Sequence, residues 1–273
     1  YYKFSESNLD NLNIVLVIGE SARFDRFGIN GYERNTTPYL SKTTNLITYN
    51  KVSSLATNTA VGVQQIMQMD EKQNLSSFIQ VFNQVGLQTH WFSNQSARYE
   101  VINDIIRETN HHLFSDDIRT KKTGNNYDMD LMPYIQLALP KNKLNLVVLH
   151  TMGSHRLYDL RSPPNFKNFI PTCIQDELYY SMNECIDQKK LDNSYDNSIL
   201  YTDYFLSEII QLLQRSNSIM IYISDHGESL GENGIYAHAT PLDIAPKEQT
   251  HIPLLIWASD KFLSQTKNQA LFE

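Results

Sequence analysis

Basic charge is scarce in this chain. Lys and Arg number 23 against 30 Asp and Glu, a net charge of −7 over 273 residues. A nucleic-acid binder carries a basic stripe, so that class is excluded. Long apolar runs are also missing. No stretch approaches the roughly 18 residues of a membrane span. No secretory leader is visible, because Tyr1-Tyr2-Lys3-Phe4-Ser5 starts abruptly and without Met. The expectation is a soluble fragment of a longer protein. Internal repeats, low-complexity tracts and obvious linkers are absent, which argues for one domain over residues 1–273. Cysteine is limited to Cys173 and Cys185, both in the polar stretch from Pro171 to Asn193. They form a disulfide if the compartment is oxidising, or stay as two thiols if it is not.

What the chain does have is a hydrophobic content of 41%, enough for a globular core. Short apolar runs recur at Asn13–Ile18, Leu87–Phe92, Leu144–His150, Ile219–Ser224 and Ile252–Ala258. They are apolar on both sides, as central strands covered on both faces are. Between them lie helical patterns at Ser76–Val85 and Ser194–Leu213, the latter with Tyr195, Ile199, Leu206, Ile209, Ile210 and Leu213 on one face. Alternating strands and helices predict an α/β sandwich, its central sheet mostly parallel with helices on both faces. Residues 156–190 lack periodicity and read as a long irregular excursion near the site.

In such sheets ligands bind beyond the carboxyl ends of the strands. Polar groups follow three of the expected strands there. Gly19-Glu20-Ser21 follow the first. His150 and His155 end and follow the third. Asp225 and His226 follow the fourth, within Ser224-Asp225-His226-Gly227-Glu228, and His238 lies twelve residues beyond His226. Each alone reads as a cap, a turn or a satisfied histidine. Together they point to a metal centre, because carboxylate and imidazole are ligands that zinc accepts. Neighbours on a continuing strand face opposite ways, so the strand must end near Ser224, with Gly227 letting the chain turn.

A nucleophile is sought in Ser53-Ser54-Leu55-Ala56-Thr57-Asn58-Thr59-Ala60-Val61. Asn58 suits an N-cap, which puts Thr59 in the first turn of a helix running through Ile66-Met67. A helix N-terminus favours an anion such as phosphate. A threonine hydroxyl is a poor nucleophile at neutral pH, and zinc would favour its alkoxide. From this segment alone, Thr57 and Thr59 read more readily as capping residues than as a nucleophile.

Longer motifs carry a resemblance. These are Asn13-Ile14-Val15-Leu16-Val17-Ile18-Gly19-Glu20-Ser21-Ala22-Arg23 and Asn30-Gly31-Tyr32-Glu33-Arg34-Asn35-Thr36-Thr37-Pro38. His150-Thr151-Met152-Gly153-Ser154-His155, Tyr195 to Ser198, Tyr201 to Tyr204, Ser224 to Gly234 and Pro241 to Pro253 extend them. Together they resemble the bacterial phosphoethanolamine transferases that modify lipid A and other surface glycans, members of the alkaline phosphatase/sulfatase superfamily. The resemblance spans Asn13 to Phe262. It implies zinc held by Glu20, Thr59, Asp225 and His226, with one ion held tightly and a second left open. It implies Thr59 as nucleophile, by the match of Ala56-Thr57-Asn58-Thr59-Ala60 to the family's pattern. His155 and His238 are implied to contact phosphate or a second zinc and to move protons. Asn94 and Arg98, in Trp91-Phe92-Ser93-Asn94-Gln95-Ser96-Ala97-Arg98, are the implied donor-binding residues. It favours the Cys173–Cys185 disulfide and a periplasmic domain of an inner-membrane protein.

The implied reaction transfers phosphoethanolamine from phosphatidylethanolamine, through Thr59, to an acceptor on lipid A, another glycan or a protein. N-terminal membrane helices outside this chain are expected to hold the domain at the membrane. Cysteines that often flank the family's nucleophile are replaced by Leu55 and Gln65, so packing is expected to hold that loop. A formylglycine sulfatase would need Cys or Ser in a Cys/Ser-x-Pro-x-Arg setting, which neither Cys173 nor Cys185 provides. A phosphoglycerol transferase or phosphodiesterase with the same zinc and threonine is the alternative. A non-catalytic binding domain is disfavoured because the ligand set and both histidines are intact.

Overall fold

The computed structural model describes residues 11–68, 77–96, 100–114, 127–139, 144–175, 185 and 187–265, and residues 100 and 101 by backbone alone. Seven of the described strands form one sheet. In chain order they are β1 (Leu12–Gly19), β2 (Leu46–Tyr49), β3 (Gln88–Ser93), β4 (His111–Leu113), β5 (Leu144–His150), β6 (Ser218–Ser224) and, after a small β7–β8 hairpin (Ser229–Leu230 and Tyr236–Ala237), β9 (Leu254–Ala258). Their spatial order is β2-β9-β6-β1-β5-β3-β4. β1, β3, β4, β5 and β6 pair in parallel, whereas β9 runs antiparallel to both β6 and β2.

The expected mostly parallel sheet is present, with the last strand reversed. That strand begins at Leu254 rather than Ile252, because Ile252 gives its N–H to Val52 instead of the ladder and Pro253 has none to give. β2 and β4 were not expected. Both are short edge strands, and β4 opens on two exposed histidines.

The apolar runs split by alternate residues between two cores, as strand geometry requires. From β1, Val15 and Val17 face one side with Val147 and Leu149 of β5. Ile18 faces the other side with Leu146 and Val148. The first side is covered by α4 (Met132–Ala138) and α5 (Gln188–Leu213). The second is covered by α1 (Thr59–Met67), α2 (Phe78–Gln84) and α3 (Glu100–Arg107), through Val63, Met67, Ile79, Ile102, Ile105 and Ile106. A last helix, α6 (Asp260–Gln265), packs Phe262 at the end of the sheet.

α5 starts at Gln188, six residues before the apolar periodicity suggests. Its first turn is exposed and polar and is capped by Asp187, whose side chain accepts the Lys190 N–H. The helix is buried almost all round and carries polar side chains inward. Several of these polar side chains fasten loops. Asn197 bonds both backbone groups of Phe169, at 2.9 Å each. Ser194 donates to Asp159, and Ser198 donates to Ser154. Asp196 takes Arg26, Arg34 and Tyr32. Asp203 accepts the N–H groups of Tyr39 and Leu40, at 2.9 Å each. Buried polar groups must be paired, so this helix fixes the loops after β1 and β5. The irregular excursion holds short 3-10 turns at Tyr158–Leu160, Pro164–Phe166 and Cys173–Gln175. A disulfide joins Cys173 to Cys185, with Cα atoms 5.6 Å apart.

Candidate active site and metal centre

Sheet register places the first two ligand candidates. Gly19 and Ser224 are partners at the ends of β1 and β6, so Glu20 and Asp225 leave the sheet side by side. The Asp225 N–H donates to the Gly19 carbonyl, and Asp225 Oδ1 accepts the N–H groups of Ser21 and His226. The strand does end at Ser224, and Asp225 Oδ2 and His226 Nε2 lie 3.5 Å apart, facing one point. Gly227 acts differently from the sequence expectation. Its φ is not left-handed; a Cβ there would collide with the Glu248 carbonyl.

Asn58 caps α1 through the Val61 N–H, which places Thr59 in the first turn. Thr59 Oγ1 donates to Glu20 Oε2 at 2.8 Å and lies 3.4 Å from His226 Nε2. His226 Nε2 is 3.3 Å from Glu20 Oε1. Gly62, one turn along, lets the helix touch the Asp225 backbone, since a Cβ there would sit 2.6 Å from the Asp225 carbonyl oxygen. The loop that leads to Thr59 is tied by hydrogen bonds as well as packing. Thr57 Oγ1 donates to the Thr240 carbonyl at 2.7 Å, the Thr57 carbonyl accepts the Ala239 N–H, and Ser54 Oγ donates to the Asp225 carbonyl at 2.6 Å. Leu55 and Gln65, where the family's cysteines were expected, are both exposed.

Glu20, Asp225 and His226 are fully buried, and their ligand atoms lie within 4.8 Å of one another. This donor set fits a divalent cation on three grounds. Asp225 Oδ2 is buried with no hydrogen-bond partner. His226 Nδ1 sits 2.7 Å from the Gly227 carbonyl, which fixes that nitrogen as donor and aims Nε2 at the carboxylates. The charges also suit a cation. Burial pushes Asp225 up to about 7, helped by the neighbouring Glu20. Burial opposes a charged His226, but Asp225 and Glu20 outweigh it and raise the imidazole to about 10. Burial likewise opposes ionised Glu20, yet His226 in particular holds it well below the carboxylate range. With protein charges alone, a proton on Nε2 occupies the place that a metal would take.

His155 and His238 complete the other wall. Their rings are 5.6 Å apart, and His238 is 4.5 Å from the His226 ring. Glu20, His155 and His238 form a second group whose ligand atoms lie within 4.8 Å; His226, Glu228 and His238 form a third. Burial lowers His155, whose Nδ1 has no hydrogen-bond partner. Burial also opposes a charged His238, but the Glu228 carboxylate 2.7 Å from its Nδ1 raises it. The sulfatase family's sequence pattern matches residues 12–272.

The chain belongs to the sulfatase family.

Within this family it is similar to phosphoethanolamine transferases. It is 31% identical to the Kdo(2)-lipid A phosphoethanolamine 7''-transferase of Escherichia coli K12, over 97% of this chain but 47% of that relative, about half its length. The soluble domain of lipooligosaccharide phosphoethanolamine transferase A from Neisseria meningitidis superposes with a TM-score of 0.85 at 31% identity, covering 97% of this chain and 82% of that one. The C-terminal periplasmic domain of EptC from Escherichia coli, a complex with Zn, gives 0.77 at 26% identity, over 93% and 75%. The α/β sandwich expected from the sequence is thus this family's fold. No helix among the described residues is long and apolar enough to cross a membrane.

Asn94 is buried, and its amide donates to Asp128, which also accepts the N–H groups of Met152 and Gly153. It therefore braces the His155 loop. Arg98 lies outside the described residues. Three residues of the site were not singled out from sequence. Gln95 donates to Glu20 Oε2 at 2.8 Å and to the Thr151 carbonyl. Asp128 anchors the loop that ends in His155. Glu228, inside the aspartate–histidine motif, accepts Tyr158 OH at 2.6 Å and partners His238. Its place two residues after His226 was the signal.

Proposed function

We propose that this chain is the catalytic domain of a phosphoethanolamine transferase. It would take the group from phosphatidylethanolamine and pass it through Thr59 to a hydroxyl or phosphate on lipid A, another surface glycan or a protein. The observation that carries this reading is Thr59 Oγ1, at a helix N-terminus, 2.8 Å from Glu20 Oε2 and beside His226. Zinc, held by Glu20, Thr59, Asp225 and His226, would neutralise phosphoryl charge and favour the ionised threonine. The names of the similar proteins and the zinc complex of EptC support the same chemistry.

The residues divide the work. Glu20 Oε2 accepts the Thr59 hydroxyl hydrogen, so the proton has a place to go as Oγ1 attacks phosphorus. The N-terminal dipole of α1 favours the anionic phosphoryl group. As the Oγ1–P bond forms, the P–O bond to diacylglycerol breaks, and His155 or His238 protonates the leaving oxygen. His238 suits this task because Glu228 holds Nδ1 and leaves Nε2 for proton exchange. The acceptor oxygen then attacks phosphorus and the same imidazole removes its proton, while the Oγ1–P bond breaks and Thr59 Oγ1 takes its proton back from Glu20. The two displacements follow the logic of covalent catalysis. In the cell this domain would face the periplasm from the inner membrane, in keeping with its disulfide.

Intact-mass spectrometry after incubation with phosphatidylethanolamine and zinc tests the reading. We expect a gain of one phosphoethanolamine group on the chain and none on Thr59→Ala. A gain that survives in Thr59→Ala would reject Thr59. A gain from a phosphatidylglycerol donor alone would move the assignment to phosphoglycerol transfer.

A further inference from the structure

A cavity of about 570 Å3 lies at the end of the sheet opposite Glu20 and Asp225, in the size range of small-molecule sites. Its lining includes Trp257, which pairs with Met220 near the start of β6. Asp225 follows the other end of that strand, about 16 Å further along. The link from Tyr39 to Asn45 and the end of α5 with Arg215 supply most of the rest. These segments are already fixed. Asp203 holds the Tyr39 and Leu40 N–H groups, and the Tyr39 ring lies edge-on to Tyr204 at 5.6 Å. The Asn45 carbonyl accepts the Ala258 N–H at 3.2 Å.

Charge sets this lining apart from the rest of an acidic chain. It carries Lys42 and Arg215 against one acidic side chain, Asp260, which accepts the Asn45 amide at 2.7 Å. Neither cation has an ion-pair partner among the described residues. By contrast, Arg23, Arg26, Arg34 and Lys167 are each paired with an aspartate. Gln211 and Gln214 add amides that both donate and accept, and the Tyr39 ring is 44% exposed. We propose that this cavity binds a phosphorylated sugar, at a site separate from the reaction centre. Lys42 and the fork of Arg215 take the phosphate oxygens. The glutamine amides take ring hydroxyls, and the Tyr39 ring covers the C–H face of the sugar. A neutral sugar would leave the cations unused, and free phosphate would leave the amides and the ring unused. The carboxyl-terminal dipole of α5 opposes an anion, so both cations are needed to hold one. The assignment goes beyond the transferase reading and does not depend on it.

Indole N–H resonances of the isotope-labelled chain test the proposal, because the chain holds two tryptophans. Trp257 lines the cavity, whereas Trp91 packs in the core on the sheet's other face, against His150. Trp91→Phe tells the two signals apart. On addition of glucose 6-phosphate, the Trp257 signal should shift and saturate. Lys42→Gln with Arg215→Gln should weaken that binding by about 10-fold or more. Both side chains are exposed, and an unchanged melting temperature shows that the double variant is folded. Glucose and inorganic phosphate should each bind about 10-fold more weakly than the ester. A Trp257 signal that stays still would overturn the proposal, even where the Trp91 signal moves. Equal binding by the double variant would overturn it too. Inorganic phosphate as strong as the ester would reduce the cavity to an anion site and overturn the sugar. Thr59→Ala should bind the ester like the parent chain, whatever becomes of the transfer reaction. Loss of binding in Thr59→Ala would place the ester at the reaction centre and overturn the second site.

Discussion

Glu228 shows at the residue scale what sequence can and cannot reveal. The aspartate–histidine pair was legible because two ligand types meet directly after a strand. The task of Glu228 was not, because it depends on Tyr158, 70 positions away, whose hydroxyl donates to the same carboxylate. Tyr158 is in turn held edge-on by Tyr195, whose hydroxyl bridges the Ser21 carbonyl and the Arg23 N–H. Glu228 thereby fixes the tautomer of His238 from behind. Such supporting groups commonly matter about 10- to 100-fold. Glu228→Gln should therefore slow diacylglycerol release from phosphatidylethanolamine by about that factor, with melting temperature unchanged. The amide still fills the space and can meet Tyr158 and His238, but it no longer stabilises the charged imidazole. A rate equal to the parent chain's would reduce Glu228 to a packing role.

At the scale of elements, the central strands were legible because both their faces are buried. β1, β5 and β6 fall where their apolar runs predict. β2 and β4 escaped notice because edge strands bury less and owe their pairing to neighbours. The start of α5 escaped because its first turn carries no apolar stripe. The N-terminus of α1 was readable from Asn58, but its tight seat against the Asp225 loop was not, as no local pattern records it. That seat makes a prediction. Alanine favours a helix interior over glycine by roughly 1 kcal/mol, so Gly62→Ala should preserve helix content. Its methyl group would meet the Asp225 carbonyl and push α1 away, carrying Thr59 off Glu20 and His226. A displacement near 1 Å costs on the order of 100-fold in rate. Circular dichroism beside the rate of Thr59 modification checks both halves. A fully active Gly62→Ala would mean that the contact can relax without moving Thr59.

For the molecule as a whole, the loops after two neighbouring strands and one helix N-terminus meet at two buried carboxylates and an imidazole. Glu20 follows β1, Asp225 and His226 follow β6, and Thr59 opens α1, so a cation shared among them would tie these segments together at the sheet's carboxyl end. Unfolding would scatter these ligands, and binding confined to the folded state stabilises by mass action. At a thousandfold excess over the dissociation constant the gain is about 4 kcal/mol. For a chain of this size that corresponds to roughly 10 °C in melting temperature. Removal of zinc with a chelator should lower the melting temperature by that order, and added zinc should restore it. Asp225→Asn should show a much smaller zinc response, because the substitution replaces the carboxylate oxygen that has no hydrogen-bond partner. Acid should weaken the zinc effect, since the ligands must shed protons to bind metal and Asp225 is already pushed up to about 7. A melting temperature indifferent to both chelator and zinc would remove the metal from the site and, with it, the ionised Thr59 on which the proposed transfer depends.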